Sequence, residues 1–158
     1  MSIGNNLFKG LVSGLFAGLI LIFAFWGIWL LPALGLILTK VTLTNGSIVA
    51  ALFGIIGGLI YSLFVRERHL SISGRVLAGS LLGFVFWVGG VLTLVPVMLG
   101  FPPSLKSPQD HFFTLAVFVV YGISLAFIYQ AFTKEKSMRS LGYGVGLIAL
   151  SLIAAPFL

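Results

Sequence analysis

Few side chains in this sequence could move a proton, attack an electrophile or hold a metal. Asp110 and His111 are adjacent, the pairing in which a carboxylate orients an imidazole for general-base work. Arg66, Glu67 and His69 form a second polar stretch that could build an interfacial site. Neither set has a nucleophile placed to use it. The HExxH, GxSxG and glycine–lysine phosphate-loop patterns are absent. There is no cysteine, which excludes a disulfide, a thiolate nucleophile and a sulfur-ligated metal. His69 and His111 fall in connections at opposite ends of apolar runs, so they cannot share one metal or haem. His111 alone could offer a single axial ligand to a haem or chlorophyll, although a polar cap is the commoner use of such a residue. Gly142-Tyr143-Gly144 lacks the preceding Thr-Val of a potassium filter and is rejected as one.

Trp87 and Tyr121 are candidates of another kind. Each lies deep in an apolar run, where an indole N–H or a phenol O–H must find a partner. A hydrogen bond across a helix bundle is the plain solution. The functional alternative is a ligand or pigment pocket, with Thr93 and Ser124 beside them. The cofactor-binding candidates are therefore His111, Trp87 and Tyr121, with the cofactor itself unspecified. No catalytic residue and no metal site is expected.

The elements that must position these residues follow from composition. Charged residues make up 8% of the chain, against about 25% in a soluble domain, so its solvent must be lipid. Mean hydropathy is +1.20. The 158 residues form one domain, an all-α membrane bundle. Five runs approach the roughly 20 apolar residues of a spanning helix: 10–31, 46–65, 76–96, 112–133 and 141–158. Pro32 ends or kinks the first and leaves 33–38 at the interface. Thr44-Asn45 reads as the cap of the second run and Ser73 as that of the third, which Pro96, then Gly100 and Pro102-Pro103, close. The first run is too long for a signal peptide and is read as a retained helix.

Lysine and arginine set the orientation. Lys9, Arg66, Arg68, Arg75, Lys134, Lys136 and Arg139 fall on one side, and only Lys40 and Lys106 on the other. The N-terminus is therefore expected in the cytoplasm and the C-terminus outside. The net charge of +6 sits in short connections, not in a separate basic domain. That favours anionic lipid headgroups as counter-ions and leaves out nucleic acid. No Asp, Glu, Lys, Arg or His falls in the middle of a run, which argues against proton-coupled transport.

One stretch occurs twice. Residues 53–68 and 121–136 align at a constant offset of 68 (122 minus 54), matching Gly54 with Gly122, Ile60-Tyr61 with Ile128-Tyr129, and Glu67 with Glu135. Both copies end runs of the same direction. They suggest parallel repeats, helices 2–3 and helices 4–5, with helix 1 added. Small residues recur at spacing four in every run: Gly10, Gly14 and Gly18; Ala50, Gly54, Gly58 and Ser62; Gly79 and Gly83; Gly122 and Ala126; Gly142 and Gly146. Such ladders let helix backbones approach in lipid. Helix 1, outside the repeat, is expected to present its ladder to another molecule. Tyr61, Tyr129 and Tyr143 are expected as anchors at the cytoplasmic interface, and Trp26 and Trp29 at the outer one.

Gly79, Gly83, Trp87, Pro96, Thr114-Leu115, Tyr121-Gly122 and Phe127-Ile128-Tyr129 give residues 74–130 a pattern that resembles the YqhR-type and YagU-type small bacterial inner-membrane proteins. The resemblance implies a multi-pass protein of the bacterial inner (cytoplasmic) membrane. It supplies no activity and no catalytic residue. The expectation is thus a non-enzymatic integral membrane protein, an accessory or structural subunit that forms a homo-oligomer or joins a larger membrane complex. The alternative is a small channel or carrier for a neutral or lipidic solute, which would need a wide lumen.

Overall fold

The computed structural model describes residues 3–27, 31–38, 40–66, 70–98, 100, 108–133 and 138–154. Among these, every regular element is helical. Helix α1 is Ile3–Gly27, followed by the short α2 (Leu31–Leu34) and a 3-10 turn over Gly35–Leu38. Helix α3 is Leu43–Arg66. Helix α4 (Ile72–Phe86) continues through a π-helical stretch, Trp87–Leu94, into α5 (Val95–Met98). Helices α6 (Pro108–Thr133) and α7 (Met138–Ala154) complete the set.

Four helices are long and apolar enough to cross a membrane: Gly4–Gly27, Leu43–Val65, Ile72–Met98 and Phe112–Thr133. The fifth expected span differs. Helix α7 has 17 residues, with an apolar part over Ser140–Ile153. At about 1.5 Å per residue it reaches about 25 Å, less than the roughly 30 Å of a hydrocarbon core.

Local chemistry moves several boundaries. The described part of α1 is Ile3–Gly27, and Pro32 sits in the first turn of α2. The segment Leu31–Leu38 does not lie loose at the interface. Leu31 and Leu34 are buried, and Gly46 near the start of α3 lets the Leu31 carbonyl come close. Thr42, not Thr44-Asn45, caps α3, accepting from the Asn45 N–H at 3.1 Å. Ser71, not Ser73, caps α4, accepting from the Gly74 N–H at 3.2 Å. In both, the hydroxyl sits three residues before the N–H it satisfies. Pro96 lies within its helix, which runs on to Met98, and Gly100 beyond it stands at φ 77°, in keeping with a closing role. Proline has no N–H and its ring crowds the carbonyl four residues back. The wider π turns just upstream take up that misfit, and Thr93 Oγ1 donates to the Val88 carbonyl at 2.9 Å within them.

Helix α6 is the centre of the bundle. Over its apolar window 56% of residues are buried, against 12% for the Ile72–Met98 helix at the rim. Backbones meet in two pairs. Gly10, Gly14 and Gly18 of α1 lie against Gly54, Gly58 and Ser62 of α3. Gly79 and Gly83 of α4 lie against Gly122 and Phe118 of α6. A methyl group at Gly10 would stand 2.6 Å from the Gly58 carbonyl oxygen, so the glycines at these crossings accept no side chain without a shift. The α1 ladder is therefore filled within the protomer and is not the open face expected of it. Gly142 and Gly146 of α7 have no neighbour within 4 Å, and Gly144 is the α7 glycine that packs, on Ile128.

Candidate functional site

Among the described residues, Trp87, Tyr121, Thr93 and Ser124 line none of the three spaces described below. Trp87 Nε1 donates to Thr114 Oγ1 at 3.0 Å and joins the rim helix to α6. The Tyr121 hydroxyl, fully buried, donates to the Gly54 carbonyl at 3.0 Å and joins α6 to α3. Gly57 leaves the space that this hydroxyl occupies. Thr93 bonds within its own helix, and Ser124 is fully buried with its Oγ unpartnered among the described residues. His111 and Asp110 lie in the first turn of α6, but their side chains fall outside what the structure describes. Glu67, Arg68, His69, Trp29, Glu135 and the connection 101–107 are likewise outside the described residues.

Between α1, α2, α3, α6 and the π-helical stretch there is a cavity of about 10 Å³, lined by apolar residues including Phe25, Phe53, Val91 and Phe118. That is about the least volume that holds one water, and the walls offer no polar partner for it. Two larger spaces are grooves on the outer surface. One, of about 220 Å³, runs between α1, α6 and α7 past Ile20, Val117 and Leu147. The other, of about 210 Å³, runs between α3 and α4 past Tyr61, Phe64, Ala78 and Leu82.

The most connected polar cluster lies beside this second groove, and sequence reasoning read it only as anchors and topology charges. The rings of Tyr61 and Tyr129 meet edge-on with centroids 5.5 Å apart. The Tyr61 hydroxyl donates to the Arg75 carbonyl at 3.0 Å. Both tyrosines are buried among helices and do not face the bilayer as anchors; Tyr143, at 62% exposure, does face outward. Arg75 is half-buried, and its Nε is enclosed with no hydrogen-bond partner among the described residues. The one signal for this cluster in the sequence was the match of Tyr61 with Tyr129 in the repeated stretch.

Comparison with protein-family models, curated proteins and solved structures gives no match.

Among the described residues no group of three His, Cys, Asp or Glu side chains gathers to hold a metal. Three polar side chains in the bundle tie one helix to another. Trp87 ties to Thr114, Tyr121 to α3, and Tyr61 to the first turn of α4.

Proposed function

We propose that this chain is a non-enzymatic integral membrane protein, an accessory or structural subunit that packs with itself or with a larger complex of the bacterial inner membrane. One observation carries the reading. The indole and phenol groups best able to form a ligand site make interhelical hydrogen bonds, and neither lines the small apolar cavity inside the bundle. A channel or carrier would need a lumen lined by such groups. The central cavity of about 10 Å³ gives that reading no support. The resemblance of residues 74–130 to YqhR-type and YagU-type proteins agrees with this membrane and adds no activity.

The orientation proposed puts the N-terminus in the cytoplasm, on the side of seven of the nine Lys and Arg residues. With α7 as a fifth crossing, the C-terminus is outside. The repeated stretches are proposed as parts of two like hairpins, α1–α3 and α4–α6, with α7 added. This phase is one helix earlier than a pairing of helices 2–3 with 4–5. It is supported by the register of the glycines: Gly14 lies on Gly54 and Gly58 as Gly79 lies on Gly122 and Ala126.

The test is the mass of the intact particle taken from its native membrane in mild detergent, with an absorption spectrum and mass spectrometry of what accompanies it. A stoichiometric partner protein or a homo-oligomer is expected. A monomer that carries only lipid and conducts a neutral solute in vesicles would overturn the reading.

A further inference from the structure

We propose that the groove between α3 and α4 is a binding site for an anionic phospholipid, with an acyl chain in the groove and the phosphate at Arg75. The groove is bounded by Ile60, Tyr61 and Phe64 on one side and Ala78, Leu82 and Val85 on the other. All but the Tyr61 hydroxyl are apolar groups, and that hydroxyl is turned to the Arg75 carbonyl. Ile60, Phe64 and Val85 are each more than two-fifths exposed, so the groove opens sideways to the bilayer.

Arg75 decides the chemistry of the headgroup. It stands on the same face of α4 as Ala78 and Leu82, three and seven residues before them. A helical side chain leans towards the N-terminus of its helix, so Arg75 in the first turn of α4 leans towards the end of the groove. The enclosed Nε shows that the stem lies against the protein and holds the charge in place. The N-terminal turn of α4, just after its Ser71 cap, adds the positive end of the helix dipole. A guanidinium so placed forms paired, charge-assisted hydrogen bonds with a phosphate. The connection from Arg66 to Arg75 has three Arg and one Glu, a balance of +2 that repels cations and draws anionic lipid. Val85 lies ten residues beyond Arg75, about 15 Å deeper along α4, a depth that an acyl chain spans. The corresponding cleft between α1 and α6 is partly covered by α7, whereas no described helix covers the α3–α4 groove.

The experiment reconstitutes the full chain in nanodiscs of phosphatidylcholine alone or mixed with phosphatidylglycerol. Native mass spectrometry then reads which lipid stays on the released protein, and thermal unfolding reads the effect of each lipid. Retention of phosphatidylglycerol over phosphatidylcholine is expected. It should fall about tenfold in Arg75→Gln, the loss of one charge-assisted contact. Lys9→Gln removes a cation from α1, away from the groove, and should retain the lipid as the parent does. Ala78→Phe fills the groove without touching the charge and should lose phosphatidylglycerol retention too. Equal retention of the two lipids by the parent chain would overturn the proposal. So would unchanged retention in Arg75→Gln, or a polypeptide in place of lipid in the groove. The readout is lipid selectivity of the isolated chain, so it stands or falls apart from the subunit reading.

Discussion

Tyr61 and Tyr129 hold the same place in the two repeated stretches, and their rings meet edge-on in the folded chain, centroids 5.5 Å apart. The contact joins α3 to α6, whose backbones are otherwise kept apart by side chains. It lies one hydrogen bond from Arg75. The ring and the hydroxyl of Tyr61 therefore do separate work. Tyr61→Phe keeps the ring and loses the bond to the Arg75 carbonyl. Interhelical hydrogen bonds in membranes average about 0.6 kcal/mol, so the loss should lower the unfolding temperature by only about 1–3 °C. Tyr61→Ala removes a buried ring and should cost about 3–5 kcal/mol. Thermal unfolding in detergent compares the two, and equal losses would show that the hydroxyl, not the ring, carries the contact.

Glycine substitutions separate filled ladders from open ones. Gly14 sits on the Gly54 carbonyl and the Gly58 Cα, inside the protomer. Gly14→Leu should still insert, but the isolated protomer should unfold at a clearly lower temperature as α1 is forced off α3. Gly146 has no neighbour within 4 Å, and Gly146→Leu should leave the protomer's unfolding unchanged. A stable Gly14→Leu protomer with altered assembly would return this ladder to an intermolecular role.

The bond from Trp87 to Thr114 ties the rim helix to α6. Both residues make further contacts, so single substitutions mix several effects. A double-mutant cycle of Trp87→Phe and Thr114→Val isolates the pair. Its coupling should be about 0.6 kcal/mol and no more than about 1.7 kcal/mol. Zero coupling in unfolding free energies would mean that the indole N–H is satisfied by another group.

The helical class and four of the spans were legible because an apolar run of membrane length has almost one solution in lipid. Glycine ladders were legible as packing faces, but not which helix each would meet. Gly57 and Gly58 show why. They are neighbours in sequence, yet one clears the Tyr121 hydroxyl and the other meets α1. A one-residue step turns a helix by about 100°, and only the assembled bundle assigns the faces. The caps were misplaced because Thr42 and Thr44, like Ser71 and Ser73, offer the same hydroxyl two residues apart. Tyr61 and Tyr129 lie near helix ends, where aromatic rings commonly anchor at the interface, yet these two turn inward. The hydrogen bonds of Trp87 and Tyr121 were foreseen as a need, and the partners, Thr114 and Gly54, came from packing.

Helix α7 sets the side of the C-terminus. Its 17 residues are at the short end for a crossing, and a short helix is accommodated by thinning the bilayer around it. Its outward side chains are apolar along the whole length, with Val145, Leu150, Leu152 and Ile153 exposed. A helix lying flat in the interface would pair one apolar face with a charged one, and the stretch from Ser140 to Ile153 has no charged residue. Crossing is thus the expected state, with Arg139 held at the cytoplasmic end. A reporter that is active only outside the membrane, fused after Leu158, should be active, and a fluorescent one that folds only in the cytoplasm should be dark. The same reporters fused after Thr133 should give the reverse. If both fusion points report the cytoplasm, α7 does not cross and the bundle has four spans.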